Sequence, residues 1–168
     1  MKLSKKLLVI AFLIAIVPFA NAQKKLASPA ETVSGKINGA SITINYGSPS
    51  VKERKIWGGL VPFNQVWRAG ANEATTIETD KSLTIEGVTL PAGKYSFFII
   101  PSETESTIIF NKEPKQWGAY DYKEKNDQLR VKIKQQAATT STEKLAYFVN
   151  PNDITLSWEK WNFVMKVQ

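Results

Sequence analysis

The 168-residue sequence contains neither cysteine nor histidine. Metal centres built on imidazole or thiolate are therefore excluded, as are nucleophilic triads and dyads that use either residue. Disulfides cannot form, so packing alone must stabilise the fold. G-x-S-x-G, P-loop and G-x-G-x-x-G patterns are also missing. No apolar run reaches the length of a comfortable membrane span, and no segment sustains a helical period. Any catalysis would fall to carboxylates, lysine, tyrosine or serine.

The N-terminus has the build of an export signal. Lys2, Lys5 and Lys6 precede an apolar stretch from Leu7 to Phe19, and Ala20-Asn21-Ala22 is a small-x-small cleavage site. Residues 1–22 are accordingly expected to be a signal peptide cut near Ala22, with residues 23–31 a polar linker and 32–168 a single domain. The mature chain is expected to be periplasmic or secreted, with no membrane span. Its formal charge falls from +7 to about +4 once the three leader lysines are removed. The signs are interspersed, so nucleic acid is not an expected partner.

Strand signals dominate the rest of the chain. Asn38-Gly39 is a strong two-residue hairpin turn. It pairs Ile37 with Ala40, Gly35 with Ile42 and Val33 with Ile44, while Lys36 and Ser34 meet Ser41 and Thr43. A slip of one residue would break every match. Ala74–Thr79 is a β-branched strand, and Glu86-Gly87 joins residues 83–85 to 88–90. Tyr95–Ile100 is apolar on both faces in its second half, as suits a strand covered on both sides. Residues 107–110 and 129–133 are two more strands, the latter with Arg130, Lys132 and Lys134 on one wet face. Residues 135–142 read as a polar connection and 143–149 as a strand. Residues 154–158 and 161–165 read as a closing hairpin turned at Glu159-Lys160. Nine or ten short strands with uneven connections predict an all-β fold: a single antiparallel β-sandwich, Greek-key or jelly-roll-like, with two long irregular loops.

Those loops, Lys55–Thr75 and Asn111–Asp127, hold the candidate site. The first is too rich in Trp57, Leu60, Val61, Phe63, Val66 and Trp67 to stay solvated. Trp57, Trp67 and Trp117, with Tyr120, can offer flat apolar platforms to a ligand, or they can cap one end of the sandwich. Arg68, Asn72 and Glu73 can converge on a pocket selecting anions and hydroxyls, or clamp the loop, Arg68 pairing with Glu73. Glu73 with Asp121 is the one carboxylate pair that saccharide hydrolysis could use. Ser141–Lys144 matches S-x-x-K without its companion motifs. The oxygens of Asp121, Glu124, Asn126 and Asp127 lack EF-hand spacing. No metal or other cofactor is expected, and no catalytic residue is assigned. The leading expectation is a non-catalytic binding or interaction protein of the cell envelope, its partner a glycan or an envelope protein. A carboxylate-dependent saccharide hydrolase and a purely architectural protein are the alternatives.

Four blocks, YGSPSVKERKIWGGLVPF (46–63), VWRAGANEATTIE (66–78), LPAGKYSFFIIP (90–101) and IIFNKEPKQWGAYDY (108–122), together resemble a family of exported bacterial proteins, domain of unknown function number twenty-nine eleven. The similarity runs from about Ala27 to Gln168. It implies a single β domain behind a signal peptide and brings no activity, ligand or catalytic residue with it.

Overall fold

A computed structural model describes residues 26–168. The segment read as a signal peptide and the first linker residues lie outside the described residues. Ten strands form: β1 (Ala30–Ile37), β2 (Ala40–Gly47), β3 (Thr75–Thr79), β4 (Leu83–Ile85), β5 (Val88–Leu90), β6 (Gly93–Ile100), β7 (Ser106–Asn111), β8 (Asp127–Ile133), β9 (Gln136–Val149) and β10 (Asp153–Lys166). Among the described residues the helical content is one 3-10 turn, Glu124–Asn126.

The first layer is a six-stranded antiparallel sheet in the order β1-β2-β3-β6-β7-β8. The chain leaves this sheet after β3, forms the β4–β5 hairpin in the second layer, and returns as β6 beside β3. The second layer pairs β9 with β10 and β4 with β5. The two hairpins join through backbone hydrogen bonds between Thr84 and Gln168 and from Glu86 N to Lys166 O. The result is a β-sandwich, as the strand pattern predicts.

Local chemistry accounts for the registers. Asn38 (φ 50°) and Gly39 (φ 76°) both occupy the left-handed region that a type I′ turn demands. β1 and β2 pair as expected, Ile37 with Ala40 through Val33 with Ile44, and on to Ala30 with Gly47. Strand pairing thus begins two residues inside the stretch read as linker. Glu86 and Gly87 repeat the same turn between β4 and β5.

Two expectations at the C-terminal end are corrected. Residues 135–142 are not a loop, and 154–165 is not a hairpin: β9 and β10 are single 14-residue strands paired with each other. Glu159 (φ 52°) is a bulge within β10, not a chain reversal. Between Ser157 and Glu159 β10 advances two residues while β9 advances four, from Ala146 to Thr142. The irregularity shifts side-chain parity, so Ile154, Leu156 and Trp158 share the buried side with Phe163, Met165 and Val167. The polar start of β9 shows no apolar alternation because it is solvated, yet its backbone still finds a partner.

The main core lies between the layers, filled by Ile42, Ile44, Ile77, Phe97, Ile99, Ile108 and Phe110 from the large sheet against Tyr147, Ile154, Leu156, Trp158 and Phe163. Phe98 and Ile109 point to the opposite face, where Ala74, Val66, Ala119 and Tyr122 cover them in a second small core. This is the two-sided burial that the apolar run at 95–100 implies, and it draws the two irregular loops across the outside of the large sheet.

Candidate functional site

The first long loop divides into two parts with different tasks. In residues 55–61, Gly58 N and Val61 N close tight turns on Val61 O and Ile56 O, which drives Trp57 into the core. Its ring stacks on Trp161 at 4.8 Å and meets Trp67, Trp158 and Phe163 edge-on at 5.6, 6.0 and 5.4 Å. Trp67 in turn stacks on Trp158 at 5.9 Å. Four of the five tryptophans therefore make one cluster. The Nε1 groups of Trp57 and Trp158 find no acceptor, a cost that edge-to-face packing against electron-rich ring faces offsets in part. Trp67 also extends the large sheet, exchanging two backbone hydrogen bonds with Ile99 beyond the end of β3.

Residues 68–74 form a strap, and its composition follows from how closely it lies on β2. Gly47 has no side chain because a Cβ there would collide with the Ala71 backbone, and a Cβ on Gly70 would come within 3.0 Å of Gly47 O. Ala71 N donates to Gly47 O at 3.2 Å. Ala69 holds a left-handed φ of 50° while fully buried, its carbonyl accepting from Thr75 Oγ1 (3.0 Å) and Tyr147 Oη (2.8 Å). Asn72, also left-handed at 65°, donates from Nδ2 to Ser28 O at 3.0 Å. Glu73 bridges to Trp117, and Ala74 N donates to Gln116 O at 2.9 Å, which ties the strap to the second loop.

A buried polar network fixes that second loop. Gln116 Nε2 donates toward Ser96 Oγ, Asn111 Oδ1 and Glu113 O at 2.9, 3.1 and 2.7 Å. Asn111 Nδ2 donates to Asp127 Oδ1 and Lys123 O. Tyr122 Oη donates to Asp127 Oδ2 at 2.6 Å, and Arg130 donates to the same oxygen at 2.8 Å. Burial and the Asp127 carboxylate both push the Tyr122 phenol well above its ordinary value. Arg130, expected on a merely wet face, is thus tied into the loop's support.

Strap and second loop rim a cleft of about 880 Å³ on the outer face of the large sheet, its floor formed by Asn45, Gly47 and Thr76. Of the seven predicted site residues, Asn72, Glu73 and Trp117 line it. Trp57 and Trp67 belong to the indole cluster instead. Arg68 is half-buried beneath the second loop, its Nη1 3.7 Å from where a Gly118 Cβ would sit, and its Nε lacks a partner. Tyr120 is exposed near that point, outside the lining. Among the described residues Arg68 and Glu73 form no ion pair. Asp121 is exposed and does not line the cleft, whereas Glu31 does. Sequence reasoning missed Asn45, Thr76, Lys94 and Gln116. The signal for three of them was their position on the outward-facing parity of strands; Gln116 carried none.

Among the described residues no group of acidic side chains could hold a metal ion, and no helix is long and apolar enough to cross a membrane. The chain belongs to the family described as "Protein of unknown function (DUF2911)", which matches residues 28–167. No curated protein and no solved structure matches it.

Proposed function

We propose that this member of the family is an exported β-sandwich protein that binds a ligand, without transforming it, in the cleft on the outer face of its six-stranded sheet. The observation that carries the reading is the cleft itself. Its volume of about 880 Å³ falls among those of small-ligand sites, roughly 300–1,000 Å³. Its walls are set by backbone pairing of the strap with Gly47 and with Gln116, so the site exists before a ligand arrives. Export rests on the leader-like residues 1–22. The lack of histidine and cysteine throughout the chain leaves little with which to build a catalyst.

Chemical-shift mapping with a mixed fragment library of sugars, amines, carboxylates and aromatics tests the binding reading. Hits should perturb the amides of Asn45, Thr76 and Trp117 and should vanish in Thr76→Trp, which fills the floor. Hits that all map elsewhere would overturn the cleft as the site, and none at all would leave an architectural protein. Cell fractionation with N-terminal sequencing tests export: mature chain starting at Gln23 outside the cytoplasm is expected, and full-length chain in the cytoplasm would refute it.

A further inference from the structure

Resting on the cleft reading above, we propose that the ligand is a saccharide, with the Trp117 indole as the platform for a sugar ring and the spare amide atoms of Asn45 and Asn72 as partners for its hydroxyls. Trp117 is 59% exposed although it is the one tryptophan outside the indole cluster, and among the described residues no aromatic ring packs on it. Its backbone is nonetheless held in place by the bridge to Glu73 and by buried Gln116. A flat apolar face on fixed backbone, open to a mainly apolar cleft with a few amide and charged groups, suits a ring whose C–H face is apolar and whose edge carries hydroxyls.

The amides of the lining are the second, independent observation, and Gln116 holds the wall in place. It is 7% exposed and lines the cleft, and three acceptors surround Nε2, which fixes the amide's orientation. Oε1 is left buried with no donor. That oxygen is sealed from solvent, so it sits behind the wall and leaves contact with a ligand to other amides. Nearby amides offer both polarities: Asn45 uses Oδ1 toward Thr32, and Asn72 uses Nδ2 toward Ser28, so one amide atom of each is left over.

Charge argues against an ionic ligand. The lining holds Glu31 and Glu73 alongside Lys94 and Lys115, and Lys94 is paired with Glu78 at 3.6 Å, so no single-sign field results. An extended peptide would want a free strand edge; the floor strands β2 and β3 are each paired on both sides, and the edge strand β1, which reaches the cleft at Ala30 and Glu31, is what the peptide control below addresses.

Calorimetric and chemical-shift titrations with chitotriose, cellotriose, maltotriose and, as peptide control, trialanine decide the matter. At least one trisaccharide should bind saturably and shift Asn72 and Trp117. Trp117→Ala should weaken that binding by about tenfold or more with an unchanged melting temperature, and Trp117→Phe should restore most of it. Glu73→Gln, also exposed, should keep its fold and weaken binding less. Occupation of the cleft by trialanine or by charged fragments, with no saccharide bound, would overturn the saccharide inference and leave the cleft reading standing. Saccharide binding indifferent to Trp117→Ala would remove the platform. Silence of every cleft signal toward all probes would take down both.

Discussion

Ala69 occupies a conformation that a side chain normally avoids. With φ at 50° and no exposure, it is kept there by the two hydrogen bonds its carbonyl accepts. Ala69→Gly should therefore leave the melting temperature level or raise it. Ala69→Val, adding both left-handed strain and bulk, should cost about 1–3 kcal/mol in a denaturant titration. Asp80 illustrates a different residue-level device. Its carboxylate accepts the Ser41 backbone N–H at 2.7 Å, and that bond holds its pKa below the ordinary carboxylate value. A depressed folded pKa stabilises above the unfolded value of about 3.9 and ceases to do so as pH falls through the folded one. Asp80→Asn should accordingly melt lower than the parent at about pH 7 and together with it at about pH 2.

At the level of elements, a close meeting between layers lies at Gly35 in β1. A Cβ there would come within 2.7–2.8 Å of the Val149 side chain at the end of β9. Gly35→Ala should destabilise by roughly 1–3 kcal/mol, and Val149→Ala should recover part of the loss in the double variant, a coupling that a double-mutant cycle reads directly. Elements of this kind separate what was legible from what was not. The β1–β2 and β4–β5 hairpins could be read to the residue, because Asn38-Gly39 and Glu86-Gly87 set the turn and alternation set the register. The first half of β9 could not, since Thr139, Thr140 and Ser141 are all exposed and its pairing with β10 is irregular. The candidate site was half legible. Residues 68–74 announced themselves by composition, small where the strap lies on Gly47 and polar where it meets the cleft. That Trp57 is buried in the main core while Trp117 faces solvent is a tertiary outcome that no local pattern carries. Gln116 is important through what surrounds it, and two of those three neighbours, Ser96 and Asn111, come from β6 and β7.

Across the whole molecule, a disulfide-free chain derives its rigidity from aromatic packing and from hydroxyls buried beside it. Tyr147 stands at the centre, its ring 4.8 Å from Tyr46 and 6.3 Å from Phe97. Burial pushes its phenol well above the ordinary value. A raised folded pKa contributes stability that is complete below the unfolded value, about 10, and is lost as pH rises through the folded one. The parent should thus lose melting temperature steeply at about pH 11, and Tyr147→Phe should flatten that fall at a neutral-pH cost of about 1 kcal/mol.

Gathering four indoles within the sandwich and leaving the fifth on the cleft rim gives the protein two optical populations. The gathered rings, at centroid separations of 4.8 to 6.0 Å, will pass excitation among themselves and emit toward the blue. A dissolved quencher such as acrylamide should extinguish a minor, red-shifted share of the emission first, and that share should be missing from Trp117→Phe. Whatever settles in the cleft would shield this share alone, so the molecule contains its own gauge of occupancy without any added dye.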